Sequence, residues 1–573
     1  MHKLKQVFPI LDWLPNYQRS FLGGDLTAGL TVGVLLIPQG MAYALIAGMP
    51  PVYGLYAAIV PQLIYALMGT SRQLGVGPVA MDSLLVASGI SVMATEGSAA
   101  YISFAIALAF FVGLFQFALG SARLGFITNL LSQPVISGFT SGAALIITLS
   151  QVKHLTGLDL ERSNSIYGIF ASLFDKLGET HWVTLLIGLG GMTIIMLIKK
   201  WSQRIPGALI AVIIGTLLVW GLSLDGAGVN IVKTIPDGLP GFQMPDLSWG
   251  LFMRMLPLAG TIAVVAFIEA FSIAKGIETK KKDHQVRPNQ ELLALGTANI
   301  VGSFFMSYPT TGSFSRSAIN YSSGGNTPMA FVITASFVGL ILIFLTPIFY
   351  FLPLAVLASI IMVSVFGLID FKYPIRLFKT NKVEFALLIV TFLVTVSVSL
   401  VTGIISGVVF SILIFLYKAA YPHVAILGRV PKSQEFRNLS RFEGLEQWEE
   451  LLILRIDTPY AFINIQTIKD RVLKEVGKAR NARLTHVVLD ASSVSHVDAS
   501  AIQGIQELIM ALKELNIQLA LTSVIGPVRD ALYQNWALEG IEAKMYLNTD
   551  VAVRSIRGEK VELFGDHVRQ RNV

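Results

Sequence analysis

The chain contains no cysteine, which excludes disulfides, thiol chemistry and cysteine-based zinc or iron–sulfur centres. Charge is scarce as well: 14% of the 573 residues are Asp, Glu, Lys or Arg, against 53% hydrophobic residues and a mean hydropathy of +0.65. Soluble domains carry roughly a quarter of their residues charged, so most of this chain must face lipid or other buried segments. No nucleotide-binding glycine loop, His-based metal pair or nucleophile triad appears, and Gly75-Val76-Gly77 is followed by Pro78, which rules out a dinucleotide fingerprint. Enzymatic activity has no support and no cofactor is implied. Residues 1–25 lack a continuous apolar core ahead of a small-residue cleavage site, so they are expected to be a cytoplasmic N-terminal segment and not a cleavable signal peptide.

What is present in abundance is long apolar runs. Clear ones are Thr31–Ala47, Tyr53–Met68, Phe104–Leu119, Val135–Leu149, Trp182–Ile198, Gly207–Leu222, Leu256–Ala274, Ala330–Tyr350, Pro353–Leu368 and Phe385–Leu416, the last reading as two because Thr402-Gly403 interrupts it. Weaker runs at Val76–Val92, Ile166–Leu177, Leu292–Phe305 and Ser313–Ser323 bring the runs to fifteen, for an estimate of about fourteen segments. Most are long enough to span as helices; outer-membrane strands would be about ten residues long and alternating.

The net charge of +7 does not point to nucleic acid, because in the apolar region the basic residues sit mainly in short loops. Arg123, Lys199-Lys200…Arg204, Lys280-Lys281-Lys282…Arg287 and Lys372…Arg376…Lys379…Lys382 fall in alternate loops, which makes those loops and both termini cytoplasmic. The intervening connections are neutral or acidic-leaning, as in Asp225…Asp237…Asp246, although Lys153, Arg162 and Lys233 dilute the contrast.

Two weak segments occupy similar places in the two halves: Gly75-Val76-Gly77-Pro78-Val79-Ala80-Met81-Asp82-Ser83 and Thr310-Thr311-Gly312-Ser313-Phe314-Ser315-Arg316-Ser317. Paired interrupted helices point to an inverted-repeat transporter with its substrate site near the bilayer midplane. Inward-pointing helix N-termini attract an anion through free backbone N–H groups and the axial dipole. Arg316 adds a permanent charge within the membrane region, either for substrate electrostatics or as a structural cation neutralised by a carboxylate. Glu269, inside a strong span, reads as a proton-coupling group, a structural ion-pair partner or a cation ligand. Asp82 starts a helix, binds a cation or lines the pathway. Gln39 and Tyr43, one turn apart on the first span, either face the site together or serve packing.

From about Lys432 onward the composition is that of a soluble domain. Extended Leu451–Ile456, helical Ile465–Arg480, extended Val487–Leu489, amphipathic Ser500–Leu515, extended Leu519–Thr522 and helical Val528–Leu538 alternate, as a small sheet covered by helices requires. The expected division is a transport domain over 26–425, a linker over 426–440, a soluble α/β domain over 441–560 and a tail over 561–573.

The stretch Ile37-Pro38-Gln39-Gly40-Met41-Ala42-Tyr43-Ala44, continuing through Gly48-Met49-Pro50-Pro51-Val52-Tyr53-Gly54-Leu55-Tyr56, resembles the signature of the SulP sulfate permease family. So do Gly69-Thr70-Ser71-Arg72, Gln133-Pro134-Val135-Ile136-Ser137-Gly138-Phe139, Asn289-Gln290-Glu291-Leu292, Asn299-Ile300-Val301-Gly302 and Gly312-Ser313-Phe314-Ser315-Arg316. Val488-Leu489-Asp490 and Val497-Asp498-Ala499-Ser500 resemble the STAS domain that follows in this family, though without its usual glycine, which favours a dimerisation or regulatory role over phosphorylation at Ser500. The resemblance implies an all-α polytopic membrane domain built as a seven-plus-seven inverted repeat, a cytoplasmic STAS domain and a homodimer in the cell membrane. It makes Gln39, Tyr43, Val79, Ala80, Ser315 and Arg316 the substrate-site candidates and Glu269 the proton-coupling candidate. The activity it implies is proton-coupled sulfate symport; sodium- or proton-coupled transport of bicarbonate or a dicarboxylate, an anion channel and an anion receptor signalling through the STAS domain are the alternatives. Asp82 departs from the plant pattern, where an apolar residue is usual, and keeps a cation other than the proton open.

Overall fold

The computed structural model describes residues 7–126, 132–158, 166–201, 206–281, 284–367, 369–479, 483–539 and 543–559. Residues 1–6, Arg162, Arg204, Lys282 and the expected tail over 561–573 lie outside the described residues. The chain forms two compact units, divided between Ser411 and Ile412.

Among the described residues, six helices are long and apolar enough to cross a membrane unaided: Arg19–Ile46 (α1), Ala99–Ser121, Gln133–Thr156, Trp182–Trp201, Trp249–Lys281 and Leu400–Ala420. Five shorter apolar helices, Val52–Met68, Ala80–Ile90 (α2), Gly207–Gly221, Met329–Phe344 and Leu354–Phe366, join them. Pro288–Ser303, Phe314–Ser322 and Lys382–Ser397 complete a set of fourteen. The Trp249–Lys281 helix opens the second seven and is α3; Phe314–Ser322 is α4. This numbering places Arg123, Lys199-Lys200, Lys280-Lys281 and Lys372…Lys382 on one side, as one sign of charge in alternate loops requires. Ile166–Lys176, one of the weak runs, is an eleven-residue helix in the connection between the fifth and sixth crossings. It is not counted as a crossing: as one, it would put Lys199-Lys200, Lys280-Lys281 and Lys372…Lys382 on the opposite side from Arg123.

The outward faces of the crossings are apolar, as contact with lipid tails demands. Trp182, Leu186, Leu197 and Trp201 on one helix and Leu413, Phe415 and Tyr417 on another are exposed; water would reject such faces. By contrast α1 is mostly enclosed, and it comes close to its successor: a Cβ on Gly54 would stand 1.9 Å from the Gly40 carbonyl oxygen. Only two glycines permit that backbone approach, which positions Gln39 and the following turn. Buried Asp25 ties the start of α1 to the Met329–Phe344 helix by accepting from the Asn326 and Thr327 amides and the Thr327 hydroxyl.

The second unit contains a six-stranded sheet in the order β4-β3-β5-β6-β7-β8, with β3 Val424–Arg429, β4 Phe436–Asn438, β5 Leu451–Ile456, β6 His486–Asp490, β7 Gln518–Thr522 and β8 Lys544–Tyr546. Strands β5 to β8 are parallel; β3 is antiparallel to both its neighbours. The expected linker over 426–440 is thus the first two strands of this sheet. Val424-Ala425-Ile426-Leu427 begins three residues after a crossing ends at Ala420, and as a short continuous apolar run it lacks the alternation that marks a half-buried strand. Alternate residues feed two cores. Leu452, Leu454, Val487, Leu489, Leu519 and Leu521 pack against Ile468, Val472, Ile505 and Leu508 of the Ile465–Ala479 and Ala499–Glu514 helices. Leu427, Leu451, Ile453, Val488 and Ala520 pack against Ala552 and Val553 of the Thr549–Ile556 helix on the other face. Asp498 accepts from the Ala501 amide as the cap of the Ala499–Glu514 helix and from the Phe462 amide, while Ser500 is exposed.

Leu454 is fully enclosed in the larger core. Leu454→Ala is expected to destabilise the soluble unit by about 2–5 kcal/mol, and Leu454→Met by less than about 1.5 kcal/mol; thermal unfolding of the full chain, followed by a probe in that unit, measures the difference.

Candidate functional site

The two interrupted segments meet. Gly75–Gly77 (β1) pairs antiparallel with Thr311–Ser313 (β2), Gly75 opposite Ser313 and Gly77 opposite Thr311. Inside a membrane an extended backbone survives only if its N–H and C=O groups find partners in the protein, and this two-stranded ribbon supplies them mutually. Each strand leads into a short helix. At eleven and nine residues, α2 and α4 measure about 16 and 13 Å, roughly half the hydrocarbon thickness. Because the strands run antiparallel, the helices leave the midplane in opposite directions, and their first turns lie about one strand length apart, on the order of 10 Å.

Neither helix start is closed by its own residues. Val79 and Ser313, both extended, precede α2 and α4, and neither provides a side-chain cap. The first-turn amides therefore point into the site without side-chain acceptors. α1 packs on both half-helices, and α3 packs on both half-helices and on β2.

Around these starts the structure gathers the residues singled out in the sequence. Gln39 and Tyr43 are buried on α1, and Val79 and Ala80 are buried where β1 becomes α2. Ser315 is half-buried in the first turn of α4. Arg316, the next residue, is fully enclosed. Its Nη1 donates to the Pro78 carbonyl at 2.8 Å, whereas Nε and Nη2 have no partner among the described residues. The guanidinium lies along β1, for a Cβ on Gly77, whose φ is +155°, would be 3.3 Å from Nη2. Tyr43, Tyr308 and Glu269 are near enough to act on its charge. Glu269 is half-buried on α3 with Oε2 enclosed and unpartnered, Gln39 Oε1 is likewise unpartnered, and Asp82 in the first turn of α2 is fully buried with neither oxygen bonded. No ion pair joins Arg316 to a carboxylate among the described residues. The centre thus holds a cation with free donors, two uncapped helix starts and two acids without partners.

Gln116 was not singled out by sequence, and Asn299 and Glu291 appeared there only within matching motifs, without a role; all three hold this arrangement. Asn299 accepts from the Thr310 amide at 2.8 Å and donates to the Thr310 carbonyl and to Gln116 Oε1, while Gln116 donates to the Ala263 carbonyl of α3. Thr311 Oγ1 donates to the Ala266 carbonyl, one turn before Glu269. Ser317 Oγ accepts from the Gly75 amide and donates to the Ser313 carbonyl, locking α4 to both strands. Tyr308 pairs its hydroxyl with Ser83 at 3.2 Å. Glu291, fully buried, accepts from the Tyr65 hydroxyl and the Thr70 and Ser71 amides and fixes the turn ahead of β1. An uncharged amide or a carboxylate in an apolar helix is the signal that finds Asn299, Gln116 and Glu291, since such groups persist in a membrane only with work to do.

A model described as the sulfate permease family matches residues 22–391, and one described as the STAS domain matches 445–552. The chain belongs to the sulfate permease family. It is 37% identical over 534 residues to sulfate transporter 4.1, chloroplastic, of Arabidopsis thaliana, covering 90% of this chain and 77% of that one. It is 34% identical over 583 residues to high affinity sulfate transporter 2 of Stylosanthes hamata, covering 98% and 88%. Among solved structures, the murine solute carrier 26 family member A9 anion transporter in the inward-facing state superimposes with a TM-score of 0.91 at 25% identity, over 97% of this chain and 95% of that one. The transmembrane domain of a cyanobacterial bicarbonate transporter gives 0.58 at 23% identity, over 69% and 98%. The family member described here is therefore a multi-pass membrane protein with the seven-plus-seven inverted-repeat fold and a C-terminal STAS domain.

Asn299 makes its bonds where no water can replace them. Asn299→Leu is expected to destabilise the membrane unit by about 1–3 kcal/mol, through the orphaned Thr310 amide and Gln116 carbonyl; the thermal midpoint in detergent, compared with Thr297→Ala on the same helix as a partly buried control, reads the effect.

Proposed function

We propose that this protein is a secondary active transporter that carries sulfate together with protons, holding the anion between the first turns of α2 and α4. The observation that carries the reading is Arg316: a guanidinium completely enclosed at the protein's centre, with two of its three nitrogens unpartnered, beside two uncapped helix starts. A buried cation in this state is costly unless an anion visits it. Sulfate fits the demand, being compact, divalent and able to accept hydrogen bonds on every side. Backbone amides at Ala80 and Ser315, the hydroxyl of Ser315 and the side chains of Gln39 and Tyr43 are its assigned donors. Relatives named as sulfate transporters align across nearly the whole chain, which supports the substrate.

Glu269 is the coupling group in this proposal. Ionised, it repels the incoming anion and competes for Arg316; protonated, it does neither. Anion and proton then favour each other's binding, which is the coupling free energy that symport requires. Fourteen crossings return the chain to its starting side, and the basic loops on that side support a cytoplasmic assignment for both ends, with the cell membrane as the location.

Radiolabelled sulfate uptake into proteoliposomes tests this directly. An inward acid gradient is expected to drive accumulation, Glu269→Gln to abolish the response to the gradient while leaving exchange, and Arg316→Ala to weaken sulfate binding about 10- to 100-fold, the worth of a charged hydrogen-bond set. Absence of uptake for sulfate, bicarbonate and fumarate alike would sink the transporter reading; acid-driven uptake of bicarbonate or fumarate in preference would reassign the anion.

A further inference from the structure

Proton coupling through Glu269 leaves one buried acid unused. Asp82 is the third residue of α2, fully enclosed, and neither of its oxygens has a hydrogen-bond partner. The titratable groups that act on it are Glu269 from α3 and Tyr308, whose hydroxyl bonds the neighbouring Ser83; Tyr43 from α1 and Arg316 from α4 act on Glu269 and Tyr308 in turn. The other two helices packed on α2, Ala99–Ser121 and Gln133–Ser150, contain no Asp, Glu, His, Lys or Arg. Asp82 and Glu269 lie within each other's field, and two unpartnered acids that act on one another inside a membrane protein do not both stay ionised at little cost.

Charge counting then discriminates between roles. With both acids ionised, Arg316 leaves the site at one negative charge, and a divalent anion is repelled. One proton brings the empty site to neutrality; two bring it to one positive charge, the state that best receives a divalent anion. Position argues the same way. Asp82 lies in the first turn of α2, where an ionised carboxylate, without bonding the amides, complements the helix dipole as a visiting anion would. Its carboxylate and the anion are alternatives for one electrostatic role, so arrival of the anion must displace that negative charge, and protonation is the way to do so without moving the helix.

We propose that Asp82 is a second proton carrier, so that Asp82 and Glu269 each take up one proton as a divalent anion binds and release it as the anion leaves. The transported unit is then one divalent anion with two protons, and it carries no net charge. This rests on the proton-coupled reading above and adds a stoichiometry to it.

The test is a static-head measurement on the full-length protein in proteoliposomes, with voltage clamped by potassium and valinomycin. At zero voltage a tenfold inward proton gradient is expected to hold about a 100-fold sulfate gradient in the wild type and about a tenfold one in Asp82→Asn, by mass action with two protons or one. Changing the clamped voltage is expected to leave the wild type unmoved and to shift Asp82→Asn, whose transported unit has one net negative charge. A wild type that accumulates no sulfate against any proton gradient overturns the proton-coupled reading itself. A wild type that holds about a tenfold gradient, or an Asp82→Asn protein indistinguishable from wild type, overturns the second-carrier inference alone. Wild-type accumulation driven by a sodium gradient at equal pH, and lost in Asp82→Asn, overturns it in favour of a cation ligand. Asn matches the protonated acid in shape, and Asp82→Ser repeats the measurement should Asp82→Asn not fold; the wild-type stoichiometry decides independently of either variant.

Discussion

The membrane unit depends on one short piece of backbone pairing, the antiparallel contact of Gly75–Gly77 with Thr311–Ser313. Without it, six residues of extended chain would carry unsatisfied amides and carbonyls into the low-dielectric centre, each costing several kcal/mol. With it, two half-helices start near the midplane and point away from each other, an arrangement no continuous helix provides. The supporting bonds have one purpose: Ser317 joins α4 to both strands, Asn299 holds the turn into β2, and Glu291 holds the turn into β1. These side chains are buried and fully engaged, which separates them from the central group, whose polar atoms are buried and idle.

That contrast is the physical distinction between scaffold and site. Glu291 and Asp25 are carboxylates as deeply buried as Asp82, yet each accepts several hydrogen bonds from backbone amides and hydroxyls. Asp82 accepts none. A carboxylate that is satisfied stays as it is; one that is enclosed and unsatisfied is poised to change its proton or its partner. Arg316 shows the same logic with the opposite sign.

Much of this was legible in the sequence because the relevant signals are local. Gly75…Pro78 and Gly312 break apolar runs at matching places in the two halves, and that alone locates the half-helices; Arg316 and Glu269 are conspicuous as charges within apolar surroundings. The strands of the soluble unit from Leu451 onward announce themselves by alternation with amphipathic helices. What escaped is what depends on tertiary partners. The pairing of β1 with β2 joins residues more than two hundred positions apart, and no periodicity in either segment declares it. Asn299 and Gln116 are uncharged and read as tolerable helix residues until their bonds are seen. β3 was hidden because it is a short apolar run without alternation, only three residues beyond a membrane helix, and Ile166–Lys176 read as a weak span because hydropathy alone does not separate an apolar connecting helix from a crossing.

On the proposed transport reading, the electrostatics of the centre also bear on how Arg316 is compensated before an anion arrives. A lone guanidinium at that depth would be prohibitive, and helix starts add to the positive potential instead of relieving it. Glu269 acts on the Arg316 charge without being bonded to it, so it is not committed to it. Had Glu269 formed a close bidentate pair with Arg316, the empty state would be deep and an anion would have to break a strong contact to enter. On the proposed reading, loose, proton-adjustable compensation keeps the anion-free and anion-bound states near each other in free energy, and a carrier that must pass repeatedly between them needs that balance more than it needs tight binding in either.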